Sequence, residues 1–193
     1  MQKLHSVFVV TGTAIGFAVS LVMLAQVIGF TSPWLALLVM FDFMGLAKIA
    51  EPIFMFRLPG TLSKIQAWEQ AGNIYRRLGV HRFGEFLRNS PHRYLNAGTY
   101  LSPGAPDLRG LHRRAASAEA THFYAAVLFT PYIGYLGLSG QSSMGAFFLV
   151  VQVLFNVYPI LNLRVLRSRL EEVLRRRDRG VRGSRAATPR LER

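Results

Sequence analysis

The chain contains no cysteine, which excludes disulfide staples, zinc thiolates and a cysteine nucleophile. It is also short of acid: 10 Asp and Glu stand against 23 Lys and Arg, a formal net charge of +13 in 193 residues. Such an excess in a soluble protein points to nucleic acid, yet no aromatic-interleaved basic motif of a nucleic-acid reader is present. No HExxH-like pattern supplies metal ligands either. Basic residues are themselves missing from two places, the loop around Thr31-Ser32 and the loop Ser139-Gly140-Gln141-Ser142-Ser143.

What the chain does have is apolar length. Hydrophobic residues make up 51% of it and fall into long blocks rather than the short runs of a soluble domain. Four blocks are long enough to cross a bilayer as helices: 7–30, 33–56, 120–138 and 144–166. The expected fold is an all-α membrane protein with four transmembrane helices, forming one domain over residues 1–177, with a disordered basic tail over 178–193. The first block exceeds a signal-peptide core of about 7–15 residues and leads into Thr31-Ser32-Pro33-Trp34 rather than a cleavage site, so it reads as a retained span. Lys3, the segment 57–114 and the tail from Arg164 carry all the basic residues except Lys48. By the positive-inside rule, both termini and the central segment are cytoplasmic, facing anionic headgroups, and nucleic acid drops out as a partner.

The spans carry packing signals. Gly12 and Gly16 form a GxxxG pair that lets the first helix approach a neighbour closely. Gln152 and Asn156 share a face of the fourth span, with Pro159 beyond them, and as amides in hydrocarbon they should point into the bundle. Between the second and third spans, Ser63-Lys64-Ile65-Gln66 reads as a capping box. Ile65, Trp68, Tyr75 and Leu78 then recur at helical spacing, and Gly79-Val80 suits a left-handed cap. A second short helix around 81–88 completes a cytoplasmic interfacial hairpin over 61–88. The Pro, Gly and Asn content of 89–110 points to an irregular loop.

Few ionisable residues occur near the spans. Lys48 and Glu51 are spaced to pair ahead of a kink at Pro52, whereas Asp42 has no partner on its own face. Glu69 reads from its surroundings as a solvated carboxylate, and His81, His92 and His112 as surface residues among arginines. Glu119 and His122 differ: three residues apart where an Arg-rich segment turns apolar, they share one helix face at a membrane mouth. There the carboxylate would hold one ring nitrogen and raise the basicity of the other, making a proton-transfer site. A histidine snorkelling to headgroups is the plainer alternative.

The run 68–83 (WEQAGNIYRRLGVHRF), then Ala118-Glu119 with His122, then Asn156-Val157-Tyr158-Pro159-Ile160 ahead of Arg164 and Arg169, resembles the glycosyl-4,4'-diaponeurosporenoate acyltransferase family over roughly 51–170. Those are small bacterial membrane proteins of carotenoid biosynthesis that esterify a glycosylated carotenoid with a fatty acyl chain. Two departures, the sequence 86–91 (FLRNSP) and the final basic motif, also leave room for a related glycolipid. The resemblance implies a protein of the bacterial inner membrane that needs no cofactor and takes acyl-CoA as co-substrate and a lipid-borne hydroxyl as acceptor. For that chemistry His122 is the expected base, Glu119 its orienting carboxylate and Glu69 a second acid/base. Arg76, Arg77, Arg113 and Arg114 are placed to hold donor phosphates, with Tyr75 and Asn156 as further substrate contacts. The competing class is a non-catalytic scaffold, lipid-binding or small transport protein, in which Glu69, Glu119 and His122 would lie apart.

Overall fold

The computed structural model describes residues 2–51, 53–70, 73–90 and 107–186, and every regular element among them is a helix. Two long apolar helices come first, α1 (Gln2–Ile28) and α2 (Pro33–Ala50). Gly29, at φ +88°, ends α1 in the left-handed conformation that costs glycine nothing, and Pro33 starts α2 where its missing N–H is no loss. Four short helices follow: α3 (Gly60–Ser63), α4 (Ala67–Gln70), α5 (Asn73–Arg77) and α6 (Val80–Asn89). Asp107 opens α7 (Leu108–Leu138), its side chain accepting the Gly110 N–H at 2.7 Å. Last come α8 (Ser142–Gln152), a π-helical turn (Val153–Val157) and α9 (Tyr158–Ala186), joined end to end, with helix continuing into the stretch expected as a tail.

Among the described residues three helices, not four, are long and apolar enough to cross a membrane: Leu4–Ile28, Pro33–Ala50 and Ser142–Arg179. The expected third span, 120–138, is the second half of α7. His122, Thr121, Thr130, Pro131 and three tyrosines dilute its apolar character below that of a lipid-spanning helix. Of the expected hairpin over 61–88 the structure shows the helical stretches α3 to α6, residues 71–72 between α4 and α5 lying outside the described residues. Its Ser63 capping box is not formed, because Ser63 closes α3 and Lys64 turns extended. The cap lies three residues on, where Glu69 accepts the Gln66 N–H at 2.6 Å at the start of α4. The left-handed cap at Gly79 is present, at φ +70°, with Val80 fully buried beyond it. The expected kink at Pro52 and the tail beyond residue 186 lie outside the described residues.

α7 is the element the others lean on, touching α2, α8 and α9, while α9 also meets α4 and α6. Met40, Ala125, Phe129, Leu136, Phe148 and Val151 form the apolar cluster at the α2, α7 and α8 junction, with the Phe129 and Phe148 rings 5.6 Å apart. Lipid tails are as apolar as these side chains, so such contacts supply packing but little to choose one helix register over another. That choice falls to polar groups. Gln152 donates to the Ala126 carbonyl at 2.9 Å and to the Thr130 hydroxyl at 3.1 Å, tying α8 to α7. α1 packs against α2, where the Phe17 ring would lie 3.7 Å from a Cβ at Gly45, but Cβ atoms at Gly12 or Gly16 would meet nothing within 4 Å. The GxxxG stripe therefore approaches no described part of this chain.

Candidate functional site

Sequence places two arginines one turn apart on α9, Arg164 and Arg167, where the helix leaves its apolar stretch. Both turn toward α7 and meet Glu119, which has no exposed surface. Arg164 Nη1 donates to Glu119 Oε1 at 2.7 Å, and Arg167 Nη1 to Glu119 Oε2 at 2.5 Å. Arg164 then reaches α4: its Nε and Nη2 form a fork on the two oxygens of Glu69, at 2.6 and 2.8 Å. Its remaining N–H groups go to the carbonyls of Leu62 and Lys64, both at 2.9 Å, so all five donors of the guanidinium are used. Arg167 Nη2 donates to the Ser63 carbonyl at 2.8 Å.

Glu69 is thus buried rather than solvated, at 5% exposure. Besides Arg164 it accepts the Tyr75 hydroxyl at 2.8 Å and the Gln66 N–H. Burial works to raise its pKa. The Arg164, Gln66 and Tyr75 hydrogen bonds and the Arg164 charge outweigh burial and hold it at about 2. Burial and then the Glu69 carboxylate push the Tyr75 phenol well above its ordinary value, so Tyr75 stays a donor. Glu69 is therefore charged, and both carboxylates are clamped by arginines, which suits a joint between α4, α7 and α9.

His122 lies one turn along α7 and, among the described residues, forms no hydrogen bond with Glu119, whose oxygens are held by the arginines. Its ring faces the Asn156 side chain and the Phe155 backbone instead. The reason lies in α9: Pro159 has no N–H to give the carbonyl four residues back, which is that of Phe155. The helix widens there, with the Tyr158 N–H bonding Val153 O five residues back. Asn156 is fully buried in this turn, and its Nδ2 donates to Gln152 Oε1 at 2.7 Å and to Met40 Sδ at 3.3 Å. Two atoms at this spot, His122 Nδ1 and Asn156 Oδ1, are buried without a partner. A run of polar groups from Thr130 through Gln152 and Asn156 therefore ends at an imidazole with an unused nitrogen.

The structure brings Glu69, Glu119 and Tyr75 together, but through arginines that the sequence reading did not assign to the site. Arg164 and Arg167 could have been found as cations one turn apart at the end of a span that offers them no carboxylate on its own apolar side. Tyr75 is 2% exposed and spends its hydroxyl on Glu69. Arg76 and Arg77 are exposed on α5, and Arg113 is exposed on α7, where it lines a groove that neither of them reaches. Arg114 is half-buried. Lys48 and Glu51 form the expected pair, and His112 meets Glu171 at 3.1 Å rather than lying free. Asp42 is half-buried in α2 with no ion-pair partner among the described residues. No group of three or more potential metal ligands occurs among the described residues.

A family model described as glycosyl-4,4'-diaponeurosporenoate acyltransferase matches residues 60–176. That stretch holds Glu69, Glu119, His122, Asn156, Arg164 and Arg167. No curated protein and no solved structure matches the chain.

Proposed function

We propose, for a chain that belongs to the glycosyl-4,4'-diaponeurosporenoate acyltransferase family, the transfer of a fatty acyl group from acyl-CoA to a sugar hydroxyl of a membrane-dissolved glycosylated carotenoid or a related glycolipid. The family name implies acyltransferase activity, and the apolar helices agree with a membrane protein. The observation that carries the residue assignment is the pair of unpartnered buried atoms, His122 Nδ1 and Asn156 Oδ1. Both accept hydrogen bonds, and a sugar offers neighbouring hydroxyls to supply them.

In this reading the proton of the neutral His122 ring sits on Nε2, and Nδ1 is the base. The acceptor oxygen attacks the thioester carbonyl carbon while its proton passes to Nδ1. Collapse of the tetrahedral intermediate breaks the C–S bond, and His122 returns the proton to the departing thiolate. Asn156 Oδ1 accepts a second sugar hydroxyl and so orients the acceptor. Glu119 and Glu69 act at a distance, by fixing α9 and hence the π turn against α7. Arg76 and Arg77, exposed on α5, are available to donor phosphates on the cytoplasmic side, in a bacterial inner-membrane protein with both termini cytoplasmic.

One observation favours a non-catalytic reading: Glu69, Glu119, Arg164 and Arg167 bind one another across three helices, as in a scaffold. His122→Gln separates the two. Lipid mass spectrometry of cells producing the parent protein should show a new acylated glycolipid or carotenoid ester, and cells producing His122→Gln at the same level should lack it. Ester formation by the variant would overturn the assignment of the base.

A further inference from the structure

On the other side of α7 from His122, an open groove of about 1090 Å³ runs between that helix, the end of α2 and the extended segment after it. Two positions along an α-helix turn through about 200°, so Tyr124, which lines the groove, points away from the His122 side. Phe43, Phe54 and Phe56 form one wall, and Val127 and Leu128 form the other. The Tyr124 hydroxyl donates to the Arg57 carbonyl at 2.9 Å and pins the extended segment in place.

Three polar groups share this groove. Arg57 and Arg113 are exposed, and neither has a carboxylate paired to it among the described residues. Glu51 gives one oxygen to Lys48, while its other oxygen, Oε1, is buried with no partner. Arg113 and Leu128 lie about 22 Å apart along α7 at about 1.5 Å per residue, so the cationic end and the apolar end are separated by a length on the scale of an acyl chain. The Lys48 contact offsets the Glu51 charge, which leaves the two guanidiniums to set the sign of the groove.

We infer that this groove binds an anionic glycerophospholipid whose headgroup carries hydroxyls. One acyl chain lies along the phenylalanines, Val127 and Leu128. The phosphate meets Arg57 and Arg113, whose guanidiniums suit its oxygens. A headgroup hydroxyl donates to Glu51 Oε1, the acceptor the protein leaves unsatisfied. Of the residues expected to hold donor phosphates the site takes Arg113 alone, and it uses none of those that the acyl-transfer reading places at the reacting groups.

Native mass spectrometry of the purified chain in detergent, titrated with phosphatidylglycerol, phosphatidic acid or phosphatidylcholine, tests it. Phosphatidylglycerol should bind most tightly. The Arg57→Gln, Arg113→Gln double variant should lose about thirtyfold in affinity for it, given about 1 kcal/mol for each headgroup-facing cation, with phosphatidylcholine unchanged. Glu51→Leu, which removes the acceptor, should narrow the gap between phosphatidylglycerol and phosphatidic acid. Equal binding of phosphatidylglycerol and phosphatidylcholine, or a double variant that binds phosphatidylglycerol like the parent, would overturn the site. A gap unchanged by Glu51→Leu would overturn the hydroxyl contact. Both arginines are exposed, so the double variant should keep the parent's circular dichroism spectrum.

Discussion

Replacing Arg164 by methionine removes a side chain whose five donors serve two carboxylates and two backbone carbonyls. The loss is uneven. Glu119 keeps Arg167, while Glu69 is left with only the Tyr75 hydroxyl and the Gln66 N–H, and the Leu62 and Lys64 carbonyls lose a donor. Deleting one partner of a buried ion pair costs about 3–5 kcal/mol, mostly through the charge left behind. For a chain of this size each kcal/mol moves the melting temperature by about 2–4 °C, so Arg164→Met should melt about 10 °C lower in detergent. Tryptophan fluorescence during heating would read it. Arg164→Lys keeps the charge, but its compact ammonium cannot fork onto Glu69 and reach Glu119 together, so it should recover only part of the loss. In Arg164→Met/Glu69→Gln the stranded charge is gone, and the double variant should melt above Arg164→Met, a coupling that a double-mutant cycle isolates. An Arg164→Met protein that melts within about 1 °C of the parent would refute the view that this cluster joins α4, α7 and α9.

Acid should act on the same joint. The Glu69 pKa is lowered from 4.5 to about 2, so its contribution is complete above about pH 4.5 and fades as pH falls toward 2. It amounts to about 3 kcal/mol at neutral pH by linkage. Melting curves from pH 7 to pH 3 should fall less steeply for Glu69→Gln than for the parent, and parallel curves would refute the linkage. Gly84→Leu should loosen α6 from α9 by about 1–3 kcal/mol, since even a Cβ there would lie 2.7 Å from Asn162 Oδ1. Gly145→Ala, with its nearest contact at 3.5 Å, should melt like the parent, and a loss as large as that of Gly84→Leu would refute the packing. Gly12→Ala and Gly16→Ala meet no neighbour and should raise stability by up to about 1 kcal/mol each through helix propensity; a lower melting temperature would show a partner for that face.

Helix positions were legible where a local rule sets them. Pro33 starts α2, Gly79 takes the left-handed cap, and Gln152 with Asn156 turns inward as two amides in a span must. The site was half legible. Glu69, Glu119 and His122 stand out as ionisable groups near apolar segments, but their partners lie on α9 and the π turn before it, about 33 to 95 residues away along the chain. No spacing rule connects such positions. Glu119 and His122 were read as a pair because i and i+3 face each other on an isolated helix. In the bundle each meets a different stretch of the last helix, and stronger partners on that helix claim the carboxylate. The break at Lys64 was hidden for a similar reason: the Ser63 pattern suggests a helix starting there, while the Glu69 cap and the Arg164 bonds to Leu62 and Lys64 hold an extended residue at that point.

The wide turn at 153–157 has a consequence for the azimuth of everything beyond it. A π turn takes up one residue more than an α turn, so residues before Val153 and after Val157 belong to two helical wheels out of phase by about 100°. A single wheel drawn through 142–186 would rotate Arg164 and Arg167 off the face that meets Glu119. Deleting one residue inside the turn would restore ordinary α-helix there and leave both arginines aimed as they are, while displacing Asn156 from His122. Inserting one residue after the turn would do the reverse. The extra residue acts as a vernier between two halves of one rod, setting the angle of the charged half independently of the angle of the amide half.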